Sequence, residues 1–489
     1  MLLTTVAAAA LLAPVADAPI ATQAPSQATD RVVPIPAQNA PSPGNVPPPA
    51  VTKAPAFKLI NHDEDWSYLA DPAKRTTLWS KLKYIPVGET SYLSLGGEFR
   101  LRLEDRGNER FGRGAQDEDG NAQTRTRLWA DLHMGQRLRA FVDVQDARSI
   151  DLDSGEPPIE VSRWDLHQAF LETNAEVGDA KVRLRVGRQE LGLGAYRIFD
   201  MREGANSRTS FDMARVLVDR KGGWSGGAFY GYALREAKTS WDDATNFDYR
   251  LAGVTASRTL GQGPTAPKLE LLYVNSDKRG AVYDSVTGGR DRRGSYSARL
   301  AGRYGAWDYD LEGVYQGGTY RDLDVSAWYV SAMGGYTFKA PWSPRLGLRL
   351  EAASGDKDRT DGKLNSYAQM FPQPISLRTD FGITNMVAIQ PQLTFKPTTK
   401  LTAGLQVAGL WRQSDEDGLY GLGGQVLRGG LEGTAHYVGW RQAAFASYAV
   451  SPFVTVTGIA NHTTSGTFLK QTGMADDQTY AGLIVGLRF

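Results

Sequence analysis

The feature that most limits what this chain can fold into is a two-residue alternation of apolar and polar side chains, which begins near Tyr92. In the segment 92–104, one face of an extended strand carries Leu93, Leu95, Phe99, Leu101 and Leu103, and the other carries Ser94, Glu98, Arg100, Arg102 and Glu104. Successive side chains of a strand point to opposite faces, so one face would lie in an apolar medium and the other in water. A soluble β-sandwich and a membrane barrel both use such strands, so the alternation alone predicts only an all-β fold.

The lengths of the links between strands distinguish these two folds. About eighteen strand-like runs follow Thr90. Short links fall at 135–137, 222–223, 305–306, 398–399 and 451–452, and long links fall at 107–122, 150–163, 195–210, 279–292, 357–380 and 415–432. Outer-membrane barrels have short periplasmic turns and longer outer loops. The links therefore predict a transmembrane antiparallel β-barrel of about 18 strands in the Gram-negative outer membrane, with both barrel ends on the periplasmic side.

Composition agrees with a barrel and excludes a helical membrane protein. No stretch reaches the roughly 18 uncharged apolar residues that a membrane-spanning helix needs, and the mean hydropathy is −0.37. Barrel strands average out as hydrophilic because their lumen-facing positions are polar. The chain has no cysteine, so we expect closure of the sheet, and not disulfide bonds, to hold the fold.

Two segments at the start of the chain do not have the composition of a barrel. Residues 1–18 read as a signal peptide with an apolar, Ala-rich core and a small-x-small cleavage site at 16–18. No Lys or Arg stands before Arg31, which indicates an upstream start codon or an atypical signal. Residues 19–56 are rich in Pro and Ala with almost no charge, which predicts a disordered linker.

A lead-in segment and a characteristic last strand flank the barrel, which we expect over 92–489. Residues 57–91 predict a periplasmic lead-in segment with a short helix that begins at Asp71-Pro72 and ends before Pro86. The segment 480–489 alternates strictly and ends on Phe489. This ending is typical of the closing strand that the barrel-assembly machinery recognises, and it predicts that Phe489 faces lipid.

Arginine dominates the predicted lumen face. The polar faces of the strands carry Arg100, Arg102, Arg125, Arg127, Arg139, Lys181, Arg183, Arg185, Arg250, Arg299, Arg303, Arg345, Arg349, Arg412 and Arg488. A guanidinium stays charged and offers a planar fork to carboxylates. Acidic residues share these faces, among them Glu98, Asp131, Asp143 and Glu312. Each arginine therefore has two interpretations, a lining residue for anions or a partner that stiffens the wall. On the other face, Tyr304, Trp328, Tyr336, Trp411 and Tyr437 predict interfacial girdles.

The chain resembles the alginate-export family of outer-membrane porins. The stretches that carry the resemblance are 63–69, 84–86, 93–98, 187–191, 202–204, 210–212, 355–358, 411–412 and 417–420. The resemblance implies a monomeric 18-stranded barrel with an electropositive constriction and passive passage of polyuronate. It also implies that Arg188, Arg197, Arg202 and Arg208, around the third long loop, form a basic cluster beside the constriction.

Two positions depart from the pattern of the family. Arg188 has the apolar-face parity of its strand, so either a bulge re-aims it or it lies beyond the lipid band. The long periplasmic turn that is thought to occlude the best-known alginate exporter corresponds here to the short link at 451–452.

The sequence thus predicts an anion-selective porin for acidic oligo- or polysaccharides such as alginate. The alternatives are a porin for another organic anion or a neutral oligosaccharide and, in a different class, a barrel hydrolase or adhesin. Five scattered histidines and no cysteine give neither a metal-ligand spacing nor a catalytic triad spacing. We therefore expect no enzyme, no cofactor, no metal and no nucleic acid, and we expect outer-membrane lipid as the surrounding partner. The acidic runs 117–119 and 356–361 read as solvated loop charge, with calcium binding as the alternative.

Overall fold

The computed structural model describes residues 57–116, 120–151, 159–263, 265–286, 288–372, 374 and 381–489. The predicted signal peptide and linker lie outside the described residues, as does the acidic run 117–119.

Eighteen antiparallel strands form one closed barrel. Of the 22 strands in the described residues, four have only two or three residues, and the other eighteen have nine to sixteen. They are β1 (Tyr92–Gly107), β2 (Asn121–Met134), β3 (Leu138–Ile150), β4 (Ser162–Val177), β5 (Ala180–Gln189), β6 (Phe211–Arg220), β7 (Trp224–Arg235), β8 (Ala244–Thr259), β9 (Lys268–Ala281), β10 (Gly289–Tyr304), β11 (Trp307–Tyr320), β12 (Leu323–Thr337), β13 (Arg345–Ala353), β14 (Met386–Thr398), β15 (Leu401–Arg412), β16 (Tyr437–Ala449), β17 (Val454–Ser465) and β18 (Gln478–Arg488). Each strand pairs with the next, and β18 pairs with β1 from Arg488 opposite Glu98 to Thr479 opposite Gly107. The predicted barrel fold is confirmed.

The longest links all lie at one end of the barrel, as expected for an outer-membrane barrel. The turns at the end where the chain enters the barrel are short, for example 178–179 and 305–306. At the opposite end, the links 190–210, 354–385 and 413–436 are long, whereas β11 and β12 are joined there by 321–322 alone. Long loops are therefore concentrated on the outer side of the barrel, where they can fold into its mouth.

The outer surface of the wall is apolar between two aromatic levels. Val254, Leu271 and Val330 are about half exposed, at 51%, 47% and 48%. Near the periplasmic end, Tyr304 is 83% exposed and the ring of Trp307 contacts that of Tyr336. Such a band flanked by aromatic rings fits a lipid bilayer.

The lumen contains apolar packing as well as charge. Phe199 and Ile198 from the link 190–210 pack against inward side chains of the wall, including Phe211 and Tyr249, in one buried cluster. The link 354–385 adds Phe371 to the same cluster. The sequence pattern predicted a polar lumen, so this cluster shows that outer loops fill part of the interior.

The lead-in segment enters the periplasmic mouth of the barrel. A short 3-10 turn, Pro72–Lys74, is capped by Asp71, and a separate helix, Leu78–Lys83, is capped by Thr77. Ile85 and Pro86 then pair with the start of β1. Among the described residues, no helix is long and apolar enough to span a membrane.

Candidate functional site: a constriction across the lumen

The link 190–210, which we call the third loop, crosses the inside of the barrel. On one side, the guanidinium of Arg100 on β1 donates hydrogen bonds to the carbonyl oxygens of Glu203 and Ala205 in the loop. On the other side, Arg197 of the loop donates to Asp310 and Glu312 of β11 at 3.0 and 2.9 Å. Because β1 and β11 lie several strands away on either side of β5 and β6, the third loop narrows the lumen.

Five arginines surround the face of the third loop that lies toward β1 to β3. We call Arg100, Arg102, Arg125, Arg127 and Arg208 the constriction cluster. Arg125 pairs with Glu98 at 2.6 Å and also with Glu203 of the loop. Arg127 pairs with Asp143 and, at 2.9 Å, with Glu190. These arginines therefore match the interpretation in which they stiffen the wall, since each pairs with carboxylates of the wall or loop.

Pairing leaves part of the constriction cluster without acceptors. Among the described residues, no hydrogen-bond acceptor is present for Arg100 Nε, Arg125 Nη1, Arg127 Nε, Arg127 Nη1 and Arg208 Nη1, although all five nitrogens are buried. Asp143 Oδ1, Asp200 Oδ2 and Glu203 Oε2 are carboxylate oxygens nearby in the same condition. A guanidinium has five N–H donors, and one carboxylate uses only some of them. The cluster therefore has donor groups that the neighbouring carboxylates leave unused.

The apolar side of the constriction is a stack of aromatic rings. The ring of Phe371 stacks on Tyr249 with centroids 5.4 Å apart and on Phe199 at 5.3 Å. The backbone holds these rings in place, since Asp200 N donates to Phe371 O and Phe371 N donates to Ile198 O. The third loop and the link 354–385 thus support each other inside the lumen.

The lead-in segment reaches the constriction from the periplasmic side. Asn61 Nδ2 donates to Asp143 Oδ2 at 2.9 Å, and Gln168 Nε2 donates to Asn61 Oδ1 at 2.8 Å. Arg208 Nη2 donates to the carbonyl oxygen of Leu59 at 3.1 Å. His62 Nδ1 lies 2.6 Å from Gln168 Oε1. The segment 57–66 therefore covers the side of the constriction that faces the periplasm.

The charges of the lead-in segment are buried where they meet the barrel. Lys83 lies 3.9 Å from Glu64, which also accepts a hydrogen bond from Arg488 at 3.1 Å. Burial lowers the pKa of Lys83 to about 8 and raises the pKa of Glu64. Burial, followed by the positive charges of Arg185 and Arg139, lowers the pKa of His62 well below its usual range, so its imidazole is neutral at pH 7.

The other predicted arginines lie in two further parts of the lumen. Near the periplasmic mouth, Arg139 pairs with Asp131 at 2.7 Å, Arg183 with Asp219 at 2.8 Å, and Arg185 with Glu172 at 2.6 Å. On the wall that faces the third loop, Arg299 pairs with Asp310 at 2.7 Å and Arg349 with Glu351 at 2.6 Å, and Arg303 points inward on the same strand as Arg299.

Four arginines take positions that differ from the expectation of a lumen lining. Arg188 shares the outward parity of Val186, and its guanidinium donates to Leu166 O at 3.0 Å within the wall. Arg202 has a positive φ of 53° in the third loop and pairs with Glu236 of the next outer loop. Among the described residues, Arg412 donates only to backbone carbonyl oxygens of the link 413–436, such as Gly430 O and Ala435 O. Arg250 faces outward, because its neighbours Tyr249 and Leu251 fill the inside.

Arg215 of β6 is a lumen cation that the sequence interpretation missed. It pairs in register with Arg185 of β5, and it makes no ion pair within 4.0 Å in the part of the chain that the structure describes. Its only hydrogen bond there is to the carbonyl oxygen of Glu190 at 3.4 Å. The strand 211–220 is apolar on both faces, with Met213 inside and Val216 outside. Period-two alternation therefore gave no signal for the direction of Arg215.

One group of carboxylates in the described residues has the spacing of a cation site. Oxygens of Asp165, Asp242 and Asp243 lie within 4.8 Å of one another where the outer loop 236–243 meets the start of β4. Burial raises the pKa of Asp243 to about 8. This carboxylate group lies at the outer rim, apart from the constriction cluster, so it is not part of the charged groups that line the constriction.

Comparison with solved structures supports the barrel fold. Three solved neighbours are proteins of Pseudomonas aeruginosa, and one of them, OpdK, is described as an outer-membrane protein. OccK2 (OpdF), solved with glucuronate, has a TM-score of 0.54 and 14% identity and covers 81% of this chain and 98% of its own. OpdK has a TM-score of 0.55 and 11% identity and covers 81% and 99%. OccK8 (OprE) has a TM-score of 0.52 and 12% identity and covers 82% and 99%.

No curated protein matches the chain. The model of the Alginate export family matches residues 91–482, which is nearly the whole barrel. Together with the closed barrel, these findings make the protein an outer-membrane channel of a Gram-negative bacterium and favour transport over enzymatic catalysis. The chain belongs to the alginate-export family.

Proposed function

We propose that this barrel gives passive, anion-selective passage to acidic oligo- or polysaccharides such as alginate. The observation that carries the proposal is the excess of guanidinium donors in the lumen, both in the constriction cluster and at Arg215, which is part-exposed and has no ion pair in the described residues. A carboxylate that enters the constriction exchanges hydrogen bonds with water for charge-assisted hydrogen bonds with these donors. A neutral sugar gains much less, because its hydroxyl groups carry no charge.

The cations of the lumen are arranged along the path and not at one point. Arg215 and Arg185 lie side by side near the periplasmic mouth, and the constriction cluster lies between them and the outer loops. A polyuronate repeats its carboxylates along the chain, so successive units can bind successive arginines weakly. Conduction needs such multiple weak sites, since a single tight site would hold the solute. OccK2, a structural neighbour that binds glucuronate, offers a precedent for a uronate in this fold.

Planar-bilayer recording of the purified protein tests this proposal. We expect the reversal potential in a KCl gradient to show anion selectivity, and we expect added oligouronates to block the current. Cation selectivity would refute the proposal. Anion selectivity without block by oligouronates would favour the alternative of a porin for another organic anion.

The variant Arg215→Gln connects this test to the structure. Arg215 has no ion-pair partner in the described residues, so its removal leaves no carboxylate unpaired. We expect weaker anion selectivity and roughly tenfold weaker block by oligouronates, which corresponds to the loss of one charge contact. The matched control is Arg220→Gln on the same strand, because Arg220 is 60% exposed and pairs with Asp179 at the periplasmic turn. The control should leave selectivity and block unchanged.

A further inference from the structure

The outward face of the barrel carries a group of arginines at its outer rim. They lie at the outer ends of four neighbouring strands, β7 to β10, and we call them the outer-rim patch: Arg235, Arg250, Arg279, Arg290 and Arg292. Register fixes the centre of the patch, because Asp277 of β9 lies opposite Arg250 on one side and opposite Arg292 on the other. These three side chains face outward, since the alternate positions Tyr249 and Leu251 fill the lumen.

The outer-rim patch has more positive than negative charge. Its only acidic partners in the described residues are Asp248, which pairs with Arg235 and Arg279 at 3.4 and 3.3 Å, and Asp277, which pairs with Arg250 and Arg290 at 3.2 and 2.6 Å. Five arginines on two aspartates leave a net charge of +3. Arg292 is exposed and has no ion pair within 4.0 Å among those residues. The patch can therefore accept negative charge from outside the protein.

The height of the patch matches the headgroups of the outer leaflet. Directly below it, the rings of Tyr273 and Tyr296 contact each other at 4.8 Å on the outward face. Tyr273 is in register with the exposed Val254 of β8, and the exposed Leu271 lies below it on the same strand. Aromatic rings in this position mark the level of the membrane interface. Arg292 is four residues beyond Tyr296 on the same strand, which is about 13 Å along the strand. The guanidinium groups thus lie above the acyl chains and not among them.

We propose that the outer-rim patch binds the phosphate groups of a phosphorylated glycolipid in the outer leaflet. A guanidinium binds phosphate oxygens through two parallel hydrogen bonds, and the residual +3 charge attracts a multiply charged headgroup. The tyrosine level and the apolar wall below it receive the acyl chains of the same lipid. A free phosphate ion uses only the upper half of this surface, so the continuity of patch, rings and apolar wall selects a lipid as the occupant.

The test compares lipid binding by two triple variants of the full-length protein in detergent micelles. The patch variant is Arg279→Gln, Arg290→Gln and Arg292→Gln, which leaves Asp248 paired with Arg235 and Asp277 paired with Arg250, so that no aspartate loses its last partner. The control variant makes the same change of charge at the periplasmic rim, with Arg220→Gln, Lys221→Gln and Arg258→Gln. These three positions are exposed on β6 and β8 and in the turn that follows β6.

The probe is lipid A that carries two phosphates, titrated and followed by native mass spectrometry. We expect the patch variant to bind it on the order of a hundredfold more weakly than the unchanged protein, and the control variant to bind it as the unchanged protein does. The same glycolipid without phosphates should bind all three proteins equally weakly. Equal binding of lipid A by the patch variant would overturn the proposal, as would tight binding of the phosphate-free lipid. Displacement of lipid A by millimolar inorganic phosphate would overturn the assignment to a lipid.

Discussion

The docking of the lead-in segment beneath the constriction depends on Asn61. This side chain makes two buried hydrogen bonds, one to the Asp143 carboxylate at 2.9 Å and one from Gln168 at 2.8 Å. A hydrogen bond to a charged group contributes about 1.5–3 kcal/mol and a neutral one about 1 kcal/mol. Asp143 keeps its pairs with Arg127 and Gln168 after Asn61→Ala, so we expect the docked state to lose about 2–4 kcal/mol. The undocked population then rises on the order of a hundredfold.

Cleavage by trypsin after Lys58 measures the undocked population. Lys58 precedes the partly buried Leu59 and the buried residues Ile60 to His62, so its peptide bond fits a protease only when this segment leaves the barrel. When docking and undocking are fast relative to cleavage, the cleavage rate follows the open population. Mass spectrometry of the products separates this cut from the cut after Lys74, whose side chain is 48% exposed and which serves as an internal reference.

The matched control is Asn174→Ala, since Asn174 is a partly exposed asparagine at the periplasmic end whose side chain, among the described residues, donates only to the turn carbonyl oxygens of Gln136 and Arg137. We expect cleavage after Lys58 to accelerate in Asn61→Ala alone. Equal rates in the two variants would show that docking does not depend on the contact between Asn61 and Asp143. Rapid cleavage after Lys58 in the unchanged protein would show that the segment is mostly undocked.

Three further predictions concern other contacts of the structure. Raising the pH from 8 to 10.5 should slow cleavage after Lys58, because Lys83 loses its proton near pH 8 in the docked state and keeps it up to its ordinary pKa in the undocked state. The free energy of docking becomes more favourable by at most roughly 3 kcal/mol over this window and is constant below it. The variant Lys83→Met should abolish the effect. Arg197→Gln should destabilise the barrel by about 3–5 kcal/mol, since it removes the buried ion-pair partner of Glu312. The unfolding temperature should therefore fall. The control Arg321→Gln changes an exposed pair with Asp322 and should leave the unfolding temperature unchanged. Gly187→Ala should reduce the yield of assembled barrel, because φ at Gly187 is +133° and an added Cβ would lie 2.5 Å from Ala169 O. The control Gly313→Ala should assemble normally, because an added Cβ there has no atom within 4 Å. Equal yields of the two variants would contradict the argument from backbone geometry.

Most of the wall could be predicted from the sequence, because the bilayer imposes a simple rule on it. Each strand must place apolar residues in lipid at every second position, and that rule leaves a trace in residues such as Leu93 to Leu103 of β1. The end of the chain follows the same rule, since β18 pairs with β1 and Phe489 exchanges backbone hydrogen bonds with Gly97. Strand number and closure were therefore within reach of period-two alternation combined with the lengths of the links.

The inside of the barrel has no such rule. The third loop crosses the lumen through contacts between residues more than a hundred positions apart, such as Arg197 with Asp310, and no periodicity records them. The lead-in segment is similar, since nothing in the residues around Asn61 indicates that its partner is Asp143. Arg215 was missed for a related reason, because both faces of β6 are apolar and parity then carries no direction.

Nearly every lumen arginine is paired with a carboxylate, but ion pairing and selectivity are different properties. Net charge decides the long-range field, and the carboxylates beside Arg125 and Arg127 largely cancel it. Local recognition depends instead on hydrogen-bond groups without partners, and there the two charges are unequal, since a guanidinium has five donors in a fixed plane whereas a carboxylate accepts at two oxygens. A wall of arginine–carboxylate pairs is therefore rigid, nearly neutral and rich in donors. Such a wall can favour carboxylates at short range without holding every anion that enters from the periplasm.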